Sequence, residues 1–195
     1  MYIGKKPAVA ALTASDITDG IISSAKIADG AIVNADVNAS AAIAATKFGA
    51  GAVLQVVNSA HASSASSSSS TYADSGLTAS ITPSSSSNKV LVIATLNGIQ
   101  TRDNRTWLNA KLLRGASDIV ANFTARAGYA QAYGGTASDY HRGVGGAVCC
   151  YLDSPSTTSS TAYKVQIASN DNVASAQICS DSAPSHMTLL EIAGW

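Results

Sequence analysis

A ten-residue repeat near the N-terminus constrains what this part of the chain can fold into. The repeat emerges when segments 17–26, 27–36 and 37–46 are aligned, and Asp-Gly pairs then fall in register in the first two units. Each unit carries a turn signal at Asp-Gly and only a few apolar residues, too few to bury a core within one chain. The apolar residues expected to form the contacts of this arm are Ile17, Ile22, Ile27, Ile32 and Val37.

Parallel copies of such an arm would stabilise one another. In three parallel chains the apolar columns would face a common axis and the turns would lie outside. Repeats that cannot form a hydrophobic core within one chain would then form one between the three chains. We therefore predict that residues 1–50 form an extended arm that trimerises. The alternative is an extended, alanine-rich linker whose periodicity arises by chance.

After residue 50 the ten-residue repeat ends, and the pattern of apolar and polar residues indicates β-strands. Short runs with alternating apolar and polar residues are separated by turn signals, and no convincing helical pattern appears. This pattern predicts an all-β fold for residues 51–195, an antiparallel β-sandwich of jelly-roll type with eight or nine strands. The predicted strands lie within segments 52–61, 71–83, 88–99, 106–115, 117–125, 143–153, 161–169, 174–181 and 185–194, and the serine run 63–70 is expected to be a loop.

The most apolar strand candidate covers residues 90–96. Val90, Val92 and Ala94 lie on one face of an extended strand, and Leu91 and Ile93 lie on the other, so apolar groups occupy both faces. A strand half exposed to water does not need this pattern. We therefore expect a central strand, with one face in the core and the other against a neighbouring subunit or the edge of the opposing sheet.

The composition argues against partners that are recruited by charge. Charged residues make up 12% of the chain and the formal net charge is zero, so we expect no binding of nucleic acid. The longest apolar run is far shorter than the roughly 20 residues of a membrane-spanning helix, so no membrane insertion is expected. The three cysteines, Cys149, Cys150 and Cys179, lack metal-ligand spacing and are expected to be reduced, small apolar residues that are buried in strands.

Candidate catalytic and metal-binding groups are few. Asp74, Asp139 and Asp153 each lie in a turn-like context, where an aspartate caps the backbone, and the only glutamate, Glu191, is expected to point outward into solvent or a trimer contact. The three histidines show no metal-ligand spacing. We therefore predict that the protein is not an enzyme and uses neither a metal nor a cofactor.

A glycine-rich segment, 132–146, is a candidate recognition loop. Together with a tyrosine just before it, this segment offers aromatic groups of the kind that contact sugars or proteins, and a long surface turn is the alternative. The arginines Arg102, Arg105 and Arg114 accompany Trp107 and are expected to make cation-π contacts at a subunit interface. The candidate recognition residues are Tyr129, Tyr133, Tyr140 and His141.

Several segments resemble proteins of bacteriophage particles. Residues 3–32, IGKKPAVAALTASDITDGIISSAKIADGAI, are similar to the N-terminal arms of tail-fibre and related virion proteins of marine and cyanobacterial phages, in which such decapeptides recur. Residues 71–98 and 150–170, with the closing MTLLEIAG, resemble the C-terminal domain of many of these proteins. The resemblance implies a homotrimeric, fibre-like subunit that is made in the host cytoplasm and joins the virion through its arm. With two clear repeats and a degenerate third, a short peg is expected rather than a long shaft.

These observations leave three functional hypotheses. The first is a short trimeric fibre or peg, bound to other structural proteins of the phage tail or capsid. The second is a receptor-binding module that recognises a glycan or protein on the host surface through the tyrosine-containing loop. The third is a capsid decoration protein at threefold positions of the head.

Overall fold

The computed structural model describes residues 20–38, 40–41, 43, 47, 49–101, 106–124, 141–142, 146–172 and 174–194. The chain divides into two units, Met1–Ile43 and Ala44–Trp195. In the described part of the first unit the regular structure consists of two 3-10 turns, Ser24–Lys26 and Asn34–Asp36. All strands of the described residues lie in the second unit. The predicted arm boundary at residue 50 stays a prediction.

Strand formation follows the alternation of apolar and polar side chains. In β4, for example, every second residue is fully buried and the residues between are half-buried, which is the two-residue period of a pleated strand. The strands are β1 (Val53–His61), β2 (Ala65–Ser67), β3 (Ala73–Ile81), β4 (Lys89–Leu96), β5 (Gln100–Thr101), β6 (Leu108–Arg114), β7 (Ser117–Val120), β8 (His141–Arg142), β9 (Ala147–Asp153), β10 (Thr161–Ser169), β11 (Ala176–Ile178) and β12 (Ser185–Ile192).

The strands form three antiparallel sheets. The first sheet has the order β1-β12-β4-β9, the second β3-β10-β6-β7, and a small third sheet β2-β11-β5-β8. The longer strands of the chain alternate between the first and the second sheet, and β3 packs against β1 and β12. The predicted all-β class is therefore confirmed, and the two larger sheets are consistent with a β-sandwich.

The apolar core lies between the first and second sheets. Its largest fully buried side chains include Tyr163 of β10, Leu112 of β6 and Leu189 of β12, so both sheets contribute to one cluster. Removing this apolar surface from water stabilises the fold by about 25 cal/mol per Å². The alternation of each strand thus decides which of its residues belong to the core.

The predicted central strand is confirmed as β4. It lies between β12 and β9 in the first sheet. Val90, Val92 and Ala94 are fully buried in the core, whereas Leu91 and Ile93 on the other face are half-buried. What covers this second face stays a prediction.

The serine run departs from the sequence prediction. Ala65–Ser67 forms the short strand β2, which pairs with β11 through Ser66 and Gln177. The prediction of an uninterrupted loop over 63–70 is therefore wrong. The count of eight or nine strands was too low for the same reason, since β2, β5 and β8 are too short to show an apolar period and form by backbone pairing with a neighbour.

Candidate functional site

The ten-residue repeat of the arm is also a structural repeat. The two 3-10 turns, Ser24–Lys26 and Asn34–Asp36, lie ten residues apart. The amide of Lys26 donates to the Ser23 carbonyl at 2.9 Å, and ten residues later the amide of Asp36 donates to the Val33 carbonyl at 2.9 Å. The first two units of the repeat therefore adopt the same local backbone in this region.

Glycine sets the turn between these units. Gly20 and Gly30 have φ angles of +78° and +76°, in the left-handed region that favours glycine. Across the second turn the Ala31 amide donates to the Ala28 carbonyl at 3.0 Å. The Asp-Gly signal of the sequence thus marks a real turn, and the same bond type recurs from Ala41 to Asn38 at 2.8 Å.

The arm exposes its apolar side chains. Every residue between 20 and 43 whose exposure is described is exposed. The predicted contact residues follow this pattern, because Ile22 and Ile32 are 54% and 58% exposed, and Ile27 and Val37 are 39% and 38% exposed. Ile17 lies outside the described residues. The described part of the arm therefore exposes its branched residues instead of burying them in a core, which is typical of a segment that is buried on assembly.

The predicted recognition loop is described only at its end. Tyr129, Tyr133 and Tyr140 lie outside the described residues. The backbone of His141 begins β8, where it pairs with Thr101 of β5. Recognition by this loop stays a prediction.

Glu191 lies in the protein interior rather than on the surface. It was expected to point outward, but only 1% of it is exposed. On β12 it follows Leu189 on the same face, so the period of two carries it into the interior. The expectation of a solvated carboxylate is therefore wrong.

Hydrogen bonds satisfy the buried Glu191 carboxylate. Asn88 Nδ2 and Gln55 Nε2 donate to it at 2.5 and 2.6 Å, and Ser84 donates from its amide at 2.6 Å and from its hydroxyl at 2.8 Å. Burial by itself raises the pKa of Glu191, but the bonds from Asn88, Gln55 and Ser84 together hold the pKa below its ordinary value. The carboxylate therefore joins β1 and β12 to the β3–β4 connection.

A second polar cluster joins the two larger sheets. Asp153 ends β9 of the first sheet and is buried, whereas Arg114 and Tyr163 belong to β6 and β10 of the second sheet. Arg114 Nη1 donates to both carboxylate oxygens at 2.9 Å, and the Tyr163 hydroxyl donates to Oδ2 at 2.6 Å. Burial and the bond to Asp153 raise the pKa of Tyr163. The cluster thus fixes the sheets relative to each other.

This cluster corrects the expectation for Asp153. Asp153 was interpreted as a turn cap, but its side chain accepts bonds from the opposing sheet. Arg102 and Arg105 lie outside the described residues, and the cation-π contacts expected between the arginines and Trp107 at a subunit interface stay a prediction. Within the chain, the Arg114 guanidinium binds Asp153. Sequence reasoning missed the pair because its members are 39 residues apart. Among the described residues, a cation-π contact joins Lys111 and Tyr72, with Lys111 Nζ 4.7 Å from the centre of the Tyr72 ring.

Asp74 was also expected to be a turn cap, but it lies in β3 and binds side chains of β10. Asp74 is exposed and accepts bonds from Lys164 and Gln166, and these bonds, chiefly the one from Gln166, lower its pKa. Asp139 lies outside the described residues. All three cysteines are free. Cys149 is buried in β9 as expected, but Cys150 of the same strand is exposed, and Cys179 is buried just after the end of β11 rather than in a strand.

The functional assignment rests on the chain's own residues. No protein-family model and no curated protein matches the sequence. Within the part of the chain that the structure describes, no helix is long and apolar enough to cross a membrane, and no group of three or more His, Cys, Asp or Glu side chains is placed to hold a metal ion.

The Asp153 cluster generates a stability prediction. Asp153→Asn removes the charge that binds Arg114 and is expected to lower the free energy of unfolding by about 1.5–3 kcal/mol. The matched control is Asp118→Asn, which breaks the exposed pair with Lys111 and should cost less than about 0.5 kcal/mol. Urea unfolding of both variants measures the difference. Equal losses would show that Asp153 does not hold the sheets together.

Glu191 generates a prediction for acid stability. Its folded pKa lies below the unfolded value of about 4.3, so the unfolded chain takes up the proton first as the pH falls. The stabilisation is therefore complete above about pH 5 and is lost as the pH falls through the folded pKa. Urea unfolding between about pH 6 and 3 should show a smaller pH dependence for Glu191→Gln than for the wild type. Identical pH profiles would contradict the assignment.

Proposed function

We propose that this chain is a structural subunit of a bacteriophage virion, a short homotrimeric fibre or peg. The N-terminal arm docks on other structural proteins of the particle and trimerises, and the β-sandwich projects outward. The observation that carries this proposal is the arm itself, in which branched apolar side chains recur every ten residues and are exposed in the single chain. Burial of these side chains between copies would supply the stability that one arm lacks.

We further infer that the sandwich is a jelly roll. That architecture consists of eight strands in two antiparallel sheets. The strand orders β1-β12-β4-β9 and β3-β10-β6-β7 support it, because they place eight strands in two four-stranded sheets and connect the sheets repeatedly along the chain.

The protein acts by assembly rather than by turnover. A catalytic carboxylate must be available to a substrate, but Glu191 and Asp153 are buried and accept several hydrogen bonds each from the protein. The low charge of the chain favours contacts by shape and apolar burial. Both properties suit a subunit whose surface is largely engaged in a particle.

The first prediction from this function concerns the number of copies. Analytical ultracentrifugation of the full chain at micromolar concentration should show three copies. The double variant Ile22→Asp with Ile32→Asp places charges in the apolar column of the arm, so it should dissociate at concentrations where the wild type stays trimeric. Ser80→Asp with Ser117→Asp adds the same charge at exposed positions of the second sheet and should remain trimeric. A wild-type monomer would contradict the proposed trimer.

The second prediction concerns attachment to the particle. A chain that lacks residues 1–50 should keep the circular dichroism of a strand-rich protein, since the described apolar core lies entirely within the second unit. Mass spectrometry of purified particles of the phage that encodes the chain should detect the full-length protein and not the truncated one. Normal incorporation of the truncated protein would show that the sandwich is the anchor. Absence of the full-length protein from particles would overturn the virion assignment.

A further inference from the structure

The two larger sheets present different outer faces. On the second sheet, alternate residues of β3, β10 and β6 that face away from the core are mostly polar. Two ion pairs cross this face, Lys164 with Asp74 at 3.0 Å and Lys111 with Asp118 at 3.0 Å. An antiparallel sheet that is solvated on one face normally has this composition.

Three cross-strand rows on the outer face of the first sheet lack such charges, because none of their twelve positions holds Asp, Glu, Lys or Arg. The next row holds Lys89 of β4, whose Nζ donates to the Ser154 hydroxyl at 2.9 Å. Three of the apolar positions are strongly exposed, with values of 59% for Val56, 59% for Val148 and 46% for Leu152. The rows are Val56-Leu190-Leu91-Leu152, Asn58-Thr188-Ile93-Cys150 and Ala60-His186-Thr95-Val148, and we refer to them together as the neutral face.

One polar pair in the central row of the neutral face is hydrogen-bonded within one chain. Asn58 Nδ2 donates to Thr188 Oγ1 at 2.8 Å. Burying an amide or hydroxyl costs much less when it already has a hydrogen-bond partner. The neutral face is therefore suited to contact with another uncharged surface, whereas the outer face of the second sheet is suited to water.

We propose that the neutral face is the surface through which the sandwiches of three copies of this chain meet around a threefold axis. This inference rests on the proposed trimer and adds the surface that the sandwich contributes to it. The neutral face of a second copy is electrostatically compatible with the first, because both surfaces are uncharged. Contact between them would therefore bury no unpaired charge.

The width of the sheet fits three copies. Four strands spaced by about 4.8 Å make a face about 19 Å wide. Three such faces arranged as a triangular prism would each lie about 5.5 Å from the axis, close to half of the spacing of about 10 Å between packed sheets. The side chains of the three faces would therefore fill the interior of the prism.

The prism places the two ends of one row next to each other in neighbouring copies. Asn58 lies on the edge strand β1 and Cys150 on the opposite edge strand β9, and both belong to the central row. Around a threefold axis parallel to the strands, Cys150 of each copy lies at the same height as Asn58 of the next copy. This juxtaposition distinguishes the prism from other ways of covering the face.

The test uses the native cysteine in the full-length protein. Cys150 is exposed in the single chain, while Cys149 and Cys179 are buried. Iodoacetamide should alkylate Cys150 at least tenfold more slowly than a thiol introduced by Ser80→Cys in a Cys150→Ser background, since Ser80 is exposed on β3 of the second sheet. Mass spectrometry of the peptides measures both rates.

A cross-link tests the arrangement of the copies. After oxidation with copper phenanthroline, Asn58→Cys should give covalent trimers on a non-reducing gel, closed by disulfides to Cys150 of neighbouring copies. Asn58→Cys combined with Cys150→Ser is the control and should give none. Covalent dimers alone, or a protected Cys150 without cross-links, would overturn the prism and indicate a two-copy contact or coverage by another segment.

The alkylation rate of Cys150 and the oligomeric state together distinguish failure of the neutral-face contact from failure of the proposed trimer. Rapid alkylation of Cys150 in a protein that sediments as a trimer would overturn the neutral face as a contact and leave the arm-mediated trimer intact. Rapid alkylation in a monomer would overturn both. Slow alkylation together with covalent trimers supports both.

Discussion

The fold depends on the burial of alternate strand residues between two sheets. Each of the larger sheets turns one apolar face inward, and neither face would be stable in water without the other. Val92 of β4, Leu189 of β12 and Val165 of β10 are fully buried in the same cluster. The positions of the polar clusters and of the outer faces follow from this arrangement, because the residues between the buried ones must face outward.

Two buried carboxylates add specificity to this apolar core. Glu191 binds donors from β1 and the β3–β4 connection, and Asp153 joins β9 to β6 and β10 of the opposing sheet. A buried carboxylate without hydrogen-bond donors would strongly destabilise the folded state. Each carboxylate therefore favours the one arrangement of strands that brings its donors together. The chemical role of these acids is therefore structural.

The surfaces of the protein are uneven in a way that suits assembly. Ion pairs cover the outer face of the second sheet, whereas the neutral face and the repeat arm expose branched apolar side chains such as Val148 and Ile32. Large exposed apolar patches are uncommon on monomeric proteins and mark interaction sites. Both features support the proposal that the protein works as a subunit of a larger structure.

The amino-acid sequence by itself determined the strand pattern and the repeat of the arm. Alternation predicted the longer strands such as β4 and β10, and the Asp-Gly pairs predicted the turn at Gly30, because both signals depend on residues that are close in the chain. Only the tertiary structure decided the surroundings of Glu191 and Asp153, whose partners come from distant strands, and the pairing of the serine-rich β2. Sheet order brings these groups together, and it follows from which faces can share one core rather than from any local pattern.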